Sequence, residues 1–152
     1  MNFLLGGKAL YSFLVGTQHE TAERDDRFCT WASGPQDYRA YFTSELTVAT
    51  LRASILEIQD IWRRESIHRE FDRRLIVDLG LSSLVKVDAP MLMQWSSLRA
   101  DLGPKTTITL EEQIEIATAL HYGYVYIAPL KETLKQLQAS VHDLKIVDPW
   151  FS

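Results

Sequence analysis

Four acidic positions define the chemistry open to this chain: the adjacent pair Glu111 and Glu112, then Glu57 and Asp88. Converging carboxylates are what a hard divalent cation needs, because Mg²⁺ or Mn²⁺ takes oxygen ligands and can then activate water against a phosphodiester. The pair opens the stretch 109–127, TLEEQIEIATALHYGYVYI. In it Leu110, Ile114, Ala117 and Leu120 keep helical spacing, and Tyr124 to Ile127 alternate as a short strand after Gly123. An acid in a helix's first turn is either a metal ligand or a residue favoured by the helix dipole, and both readings stay open here. Asp88 stands where it can cap the helix that follows it, with Pro90 tolerated in that helix's first turn.

Other constellations are thinner. His19, His68, His121 and His142 have no ligand spacing with one another or with Cys29. Serines 12, 44 and 54 lack a glycine-flanked nucleophile elbow, and Gly6-Gly7 lacks the further glycines of a nucleotide-binding loop. Arg63, Arg64, Arg69, Arg73 and Arg74 form the densest basic cluster, a candidate contact for RNA phosphates through Arg63, Arg64 and Arg73. Interleaved Glu65, Glu70 and Asp72 also suit a solvated, ion-paired face.

The totals suit one domain over residues 1–152 with a real core. A net charge of −4 argues against nonspecific wrapping of nucleic acid. One cysteine forms no internal disulfide, and no apolar run reaches membrane-spanning length, so a cytoplasmic protein is expected. The apolar start, with its lone Lys8, is read as strand, turn and helix rather than as a signal peptide.

The elements that must position these residues follow in order. Strands are predicted at 2–5, 41–47, 84–87, 124–127 and 144–147. Helices are predicted at 9–15, 26–32, 49–65, 66–79, 88–101, 109–122 and 130–137, with Gly6-Gly7 as a turn and Ser33-Gly34-Pro35 and Gly103-Pro104 as stops. Residues 17–26 read as a polar, exposed stretch. Leu51, Ile55, Ile58 and Trp62 give the third of these helices a single apolar face. Strands alternating with helices predict an α/β fold, with a mainly parallel central sheet of about five short strands flanked by helices as a three-layer sandwich.

Six segments together carry a resemblance: NFLLGGKALYSFL, FCTWASGP, LTVATLRASILEI, VDAPMLMQWSSLRADLG, EEQIEIATALHYGYVYIAPLKETLKQL and KIVDPW. Their order and intervals resemble a PIN domain of the VapC/FitB type, the ribonuclease toxins of bacterial toxin–antitoxin modules. The resemblance implies an acidic cluster holding Mg²⁺ or Mn²⁺ for RNA cleavage, a homodimer, and an antitoxin partner. It also implies where the acids should stand. The first falls on Gly6, with Gly7 and Lys8 following; the second falls on Ala53; the third on Glu112; and the last on Thr133, after Leu130 at a position usually asparagine. One acid of four remains.

A single carboxylate holds Mg²⁺ very weakly, so the expectation is a degenerate PIN-like protein without metal-dependent nuclease activity or cofactor. It would bind itself, an antitoxin-like protein, or RNA without cutting it. Lys8 is a candidate to neutralise Glu112. The alternative is an active, atypical Mg²⁺ or Mn²⁺ endoribonuclease using Glu112 with Glu57, one turn beyond Ala53, and Asp88 as a further ligand. Trp31, Tyr38, Tyr41 and Trp62 are candidates for either an interface or the core.

Overall fold

A computed structural model of the chain describes residues 1–16, 22–34 and 39–151. His19, Pro35, Tyr38 and the first half of the polar stretch at 17–26 lie outside those residues. Five strands, β1 Asn2–Leu5, β2 Ala40–Ser44, β3 Leu84–Val85, β4 Val125–Ile127 and β5 Ile146–Val147, form one sheet in the order β3-β2-β1-β4-β5. Every pairing is parallel. Parallel neighbours need crossovers, and helices supply them on both faces: α1 Gly7–Leu14, α2 Ala22–Ser33, α3 Glu45–Leu56, α4 Ile61–Arg74, α5 Ala89–Leu102, α6 Leu110–Tyr122 and α7 Glu132–Ser140.

The alternation of β1 divides the core. Phe3 and Leu5 face one layer with Leu10, Ile67, Phe71 and Trp150, while Leu4 faces the other with Met91, Ile116 and Tyr126. Trp150 is fully buried and stacks on Phe28 with ring centroids 5.3 Å apart, so the terminal segment is part of the core. Asp148 fastens the same segment to the rest, accepting from the Leu130 and Trp150 backbone N–H groups at 2.8 and 3.0 Å.

Several boundaries differ from the sequence reading, and two of the differences matter for function. Gly6 and Gly7 make no turn: Gly6 ends the strand's path and Gly7 is the first residue of α1. Helix α3 starts at Glu45, four residues early, because the Ser44 hydroxyl caps it by accepting from the Thr47 N–H at 3.0 Å. The long helix expected through residue 65 stops at Leu56, and Asp60 caps a new one by accepting from the Arg63 N–H at 3.1 Å. That restart turns Trp62 away from the expected apolar face and leaves it 87% exposed. Asp88 performs its expected capping, accepting from the Met91 N–H at 3.3 Å.

Candidate functional site

In the strand order, β1 and β4 are neighbours whose crossovers leave in opposite directions. A crevice outside the carboxyl ends of such strands is the usual ligand position in an open parallel sheet. Here Gly6, after β1, donates its N–H to Ile127 O at the end of β4 at 3.2 Å. Above this junction lies a crevice of 210 Å³ lined by Gly6, Gly7, Lys8, Thr50, Glu111, Glu112, Glu115, Tyr126, Ala128 and Pro129.

Its floor is an acid that sequence reasoning missed. Glu115 is 5% exposed. Its Oε1 accepts from the Tyr126 hydroxyl at 2.7 Å, and its Oε2 accepts from the Gly7 N–H at 3.0 Å and the Thr47 hydroxyl at 3.1 Å. Three elements converge on one carboxyl: α1 through its first residue, α3 through its first turn, and β4 through a side chain of the α6-facing layer. Burial pushes the Glu115 carboxyl up to about 7, against the three hydrogen bonds that favour its charge, and the nearby Glu112 raises it further. Tyr126, buried with it, is held well above the ordinary phenol range by the same desolvation and by the Glu115 charge.

Glu112 has its own employment. With Thr109 it forms a capping box: the Thr109 hydroxyl accepts from the Glu112 N–H at 3.2 Å, and Glu112 Oε1 takes the Thr109 N–H at 3.4 Å. The same oxygen accepts from Lys131 Nζ at 2.8 Å. The cation beside Glu112 is therefore Lys131, at the start of α7, and not Lys8. Lys8 is exposed, with Nζ 6.0 Å from the centroid of the Trp150 ring.

Of the expected site positions, the structure brings Gly6, Lys8 and Glu112 to this crevice. It does not bring Ala53, which is exposed; Thr50, one turn earlier on α3, lines the crevice. Nor does it bring Thr133, whose hydroxyl is buried without a hydrogen-bond partner beside a separate groove of 660 Å³ between α7 and the segment 101–108. Glu57 is the exposed C-cap of α3. It stands ten residues beyond Thr47, roughly 15 Å along the helix axis, too far to join Glu112 and Glu115. Asp88 lies outside the crevice lining, at its cap.

Could the crevice hold a divalent ion? The donor set does not fit one. Both Glu115 oxygens already accept hydrogen bonds, Glu112 is paired with an ammonium group, and Gly6 offers no side chain where the PIN resemblance implies an acid. Among the described residues no group of three or more His, Cys, Asp and Glu side chains is disposed to hold a metal. Gly6 has no room for a side chain either. A Cβ there would lie 2.9 Å from Tyr126 Cε1, 3.0 Å from its hydroxyl and 3.1 Å from Glu115 Oε1.

The arginines of α4 sit among acids. Arg73 pairs with Glu70 at 2.8 Å, Arg74 with Asp78 at 2.6 Å, and Arg52 of α3 with Asp72 at 2.7 Å, while Arg64 is 4.0 Å from Glu65. Trp31 and Tyr41 pack against the core, with Phe3 in contact with both rings.

No protein-family model matches this sequence, and no curated protein sequence matches it. Solved structures do. FitAB bound to an IR36 DNA fragment aligns with a TM-score of 0.74 at 15% identity, covering 97% of this chain and 95% of that one. FitAcB from Neisseria gonorrhoeae aligns at 0.72 and 18%, covering 99% of each chain. VapBC2 from Rickettsia felis, bound to a DNA fragment from its promoter, aligns at 0.70 and 13%, covering 97% and 98%. These likenesses give the chain a VapC/FitB-type PIN fold over nearly its whole length. Among the described residues no helix is long and apolar enough to cross a membrane.

Proposed function

We propose, from the premise of a VapC/FitB-type PIN fold, that this chain is a PIN protein without nuclease activity that works by binding a protein partner of the antitoxin kind. One observation carries the reading: the two best-placed carboxyls in the crevice are satisfied by the protein's own donors, Glu112 by Lys131 and its cap, Glu115 by Tyr126, Thr47 and Gly7. A hard cation that gives up water reluctantly gains too little there to displace an ammonium group and three hydrogen bonds.

Protein binding has separate support at the junction of α3 and α4. Trp62 is 87% exposed, Ile61 60% and Leu56 50%, and exposed tryptophan with apolar neighbours is the composition of a contact surface. The reading includes a homodimer, carried over from the resemblance, and the cytoplasmic location expected from the lone cysteine and the short apolar runs.

RNA cleavage tests it. Purified protein with Mn²⁺ is expected to cut a structured RNA no faster than a Glu112→Gln variant does. Metal-dependent cutting that Glu112→Gln abolishes would reject the reading in favour of an atypical endoribonuclease.

A further inference from the structure

At the opposite end of the sheet from the crevice, a groove of 900 Å³ runs past the turn between α6 and β4. Gly123 ends α6 in the left-handed region, φ +71, so the chain doubles back between Tyr122 and Tyr124. Their rings stack with centroids 5.4 Å apart and planes 18° from parallel. Tyr124 stacks in turn on Phe42 of β2 at 4.7 Å and 16°. Three rings thus form a short ladder leading from the sheet face to the groove, with Tyr122 and Tyr124 both in the groove's lining and both only half-buried.

The groove's rim carries His121, His142 and Lys145, all exposed, together with Asp143. A flat aromatic ligand can extend such a ladder, one cation and two imidazoles can meet phosphate, and a carboxylate can accept from a base's amino or ring N–H groups. We infer that this groove is a stacking site for an unpaired base of a single-stranded nucleic acid. Its size is at the upper end of the roughly 300–1,000 Å³ that takes a drug-sized molecule whole, which leaves room for a base and its neighbours along a strand. With net charge −4 the chain has little long-range attraction for a phosphate backbone, so stacking must supply most of the affinity. The inference does not depend on the state of the crevice, which lies beyond the other ends of β1 and β4.

Fluorescence anisotropy with a short fluorescein-labelled single-stranded RNA tests it. Saturable binding is expected, weakened roughly tenfold or more in Tyr122→Ala. A smaller loss with a shallower salt dependence is expected in Lys145→Glu, an exposed change that leaves the packing alone and keeps the test valid if the tyrosine variant does not fold. Absence of binding, or binding that survives both changes in folded protein, overturns the inference. A mononucleotide that competes as strongly, mole for mole, as the RNA overturns the assignment to a strand.

Discussion

Raising the pH from about 5 to about 8 is expected to lower stability by about 2.5 kcal/mol, and Glu115→Gln is expected to remove most of that loss. The cause is the buried carboxyl, whose ordinary value of 4.5 is displaced to about 7 in the folded chain. A group raised on folding contributes its full share of stability below its unfolded value, where both states hold the proton. Through the window from 4.5 to about 7 the unfolded chain releases its proton first. Stability therefore falls as pH rises, and above that window the folded state carries a buried charge that the three donors only partly offset.

Glutamine keeps the shape and does not titrate. Its carbonyl can take the Gly7 N–H and the Thr47 hydroxyl, while its amide donates to a reoriented Tyr126 hydroxyl. Denaturant melts at several pH values check this: a flat profile for Glu115→Gln is expected against a falling one for the parent. An unchanged slope in the variant would assign the pH dependence elsewhere. Glu115→Leu is expected to be the harmful change, since it strands the buried Thr47 and Tyr126 hydroxyls, each costing about 1–3 kcal/mol when unsatisfied, together with the part-buried Gly7 N–H.

The second large effect is at Gly6. Restoring the acid that the PIN resemblance implies, Gly6→Asp, is expected to destabilise the chain by about 2–4 kcal/mol without creating a nuclease. The backbone there has φ −71, open to any residue, so the penalty is one of volume and charge. A Cβ would stand within 3.1 Å of both Tyr126 and Glu115, and Tyr126 is 1% exposed, so making room means shifting a packed ring and its bond to Glu115. A new carboxylate would also face the Glu115 carboxyl. The measurement pairs a melt with an Mn²⁺ cleavage assay, and undiminished stability with new cleavage would contradict the account.

The sequence made the frame of this site legible. Apolar spacing followed by Gly123 marked α6 and β4, and Asp88 before Pro90 marked the start of α5, because caps and left-handed glycines are local signals. The register of α3 was less accessible. Ser44 and Asp60 are both good caps, but neither interrupts the apolar run around it, so apolar spacing alone places the helix start four residues late and runs it through the break. The break also turns Trp62 outward, where an unbroken helix would have carried it on the apolar face.

Glu115 was hidden for a different reason. From Gln113 to Ala119 the middle of α6 is buried on all sides, so no polar face existed against which an inward acid could stand out. The available signal was a lone carboxylate inside the run QIEIATA, which requires donors. Those donors come from residues 7, 47 and 126, brought together only by the sheet order. Lys131, nineteen residues from Glu112, is of the same kind.

The direct measurement is a crystal of the protein soaked in Mn²⁺ and examined for anomalous density in the crevice. The account predicts Lys131 Nζ on Glu112, the Tyr126 hydroxyl on Glu115, and no manganese peak within about 2.5 Å of either carboxylate. A peak bridging Glu112 and Glu115, with Lys131 displaced, would contradict it.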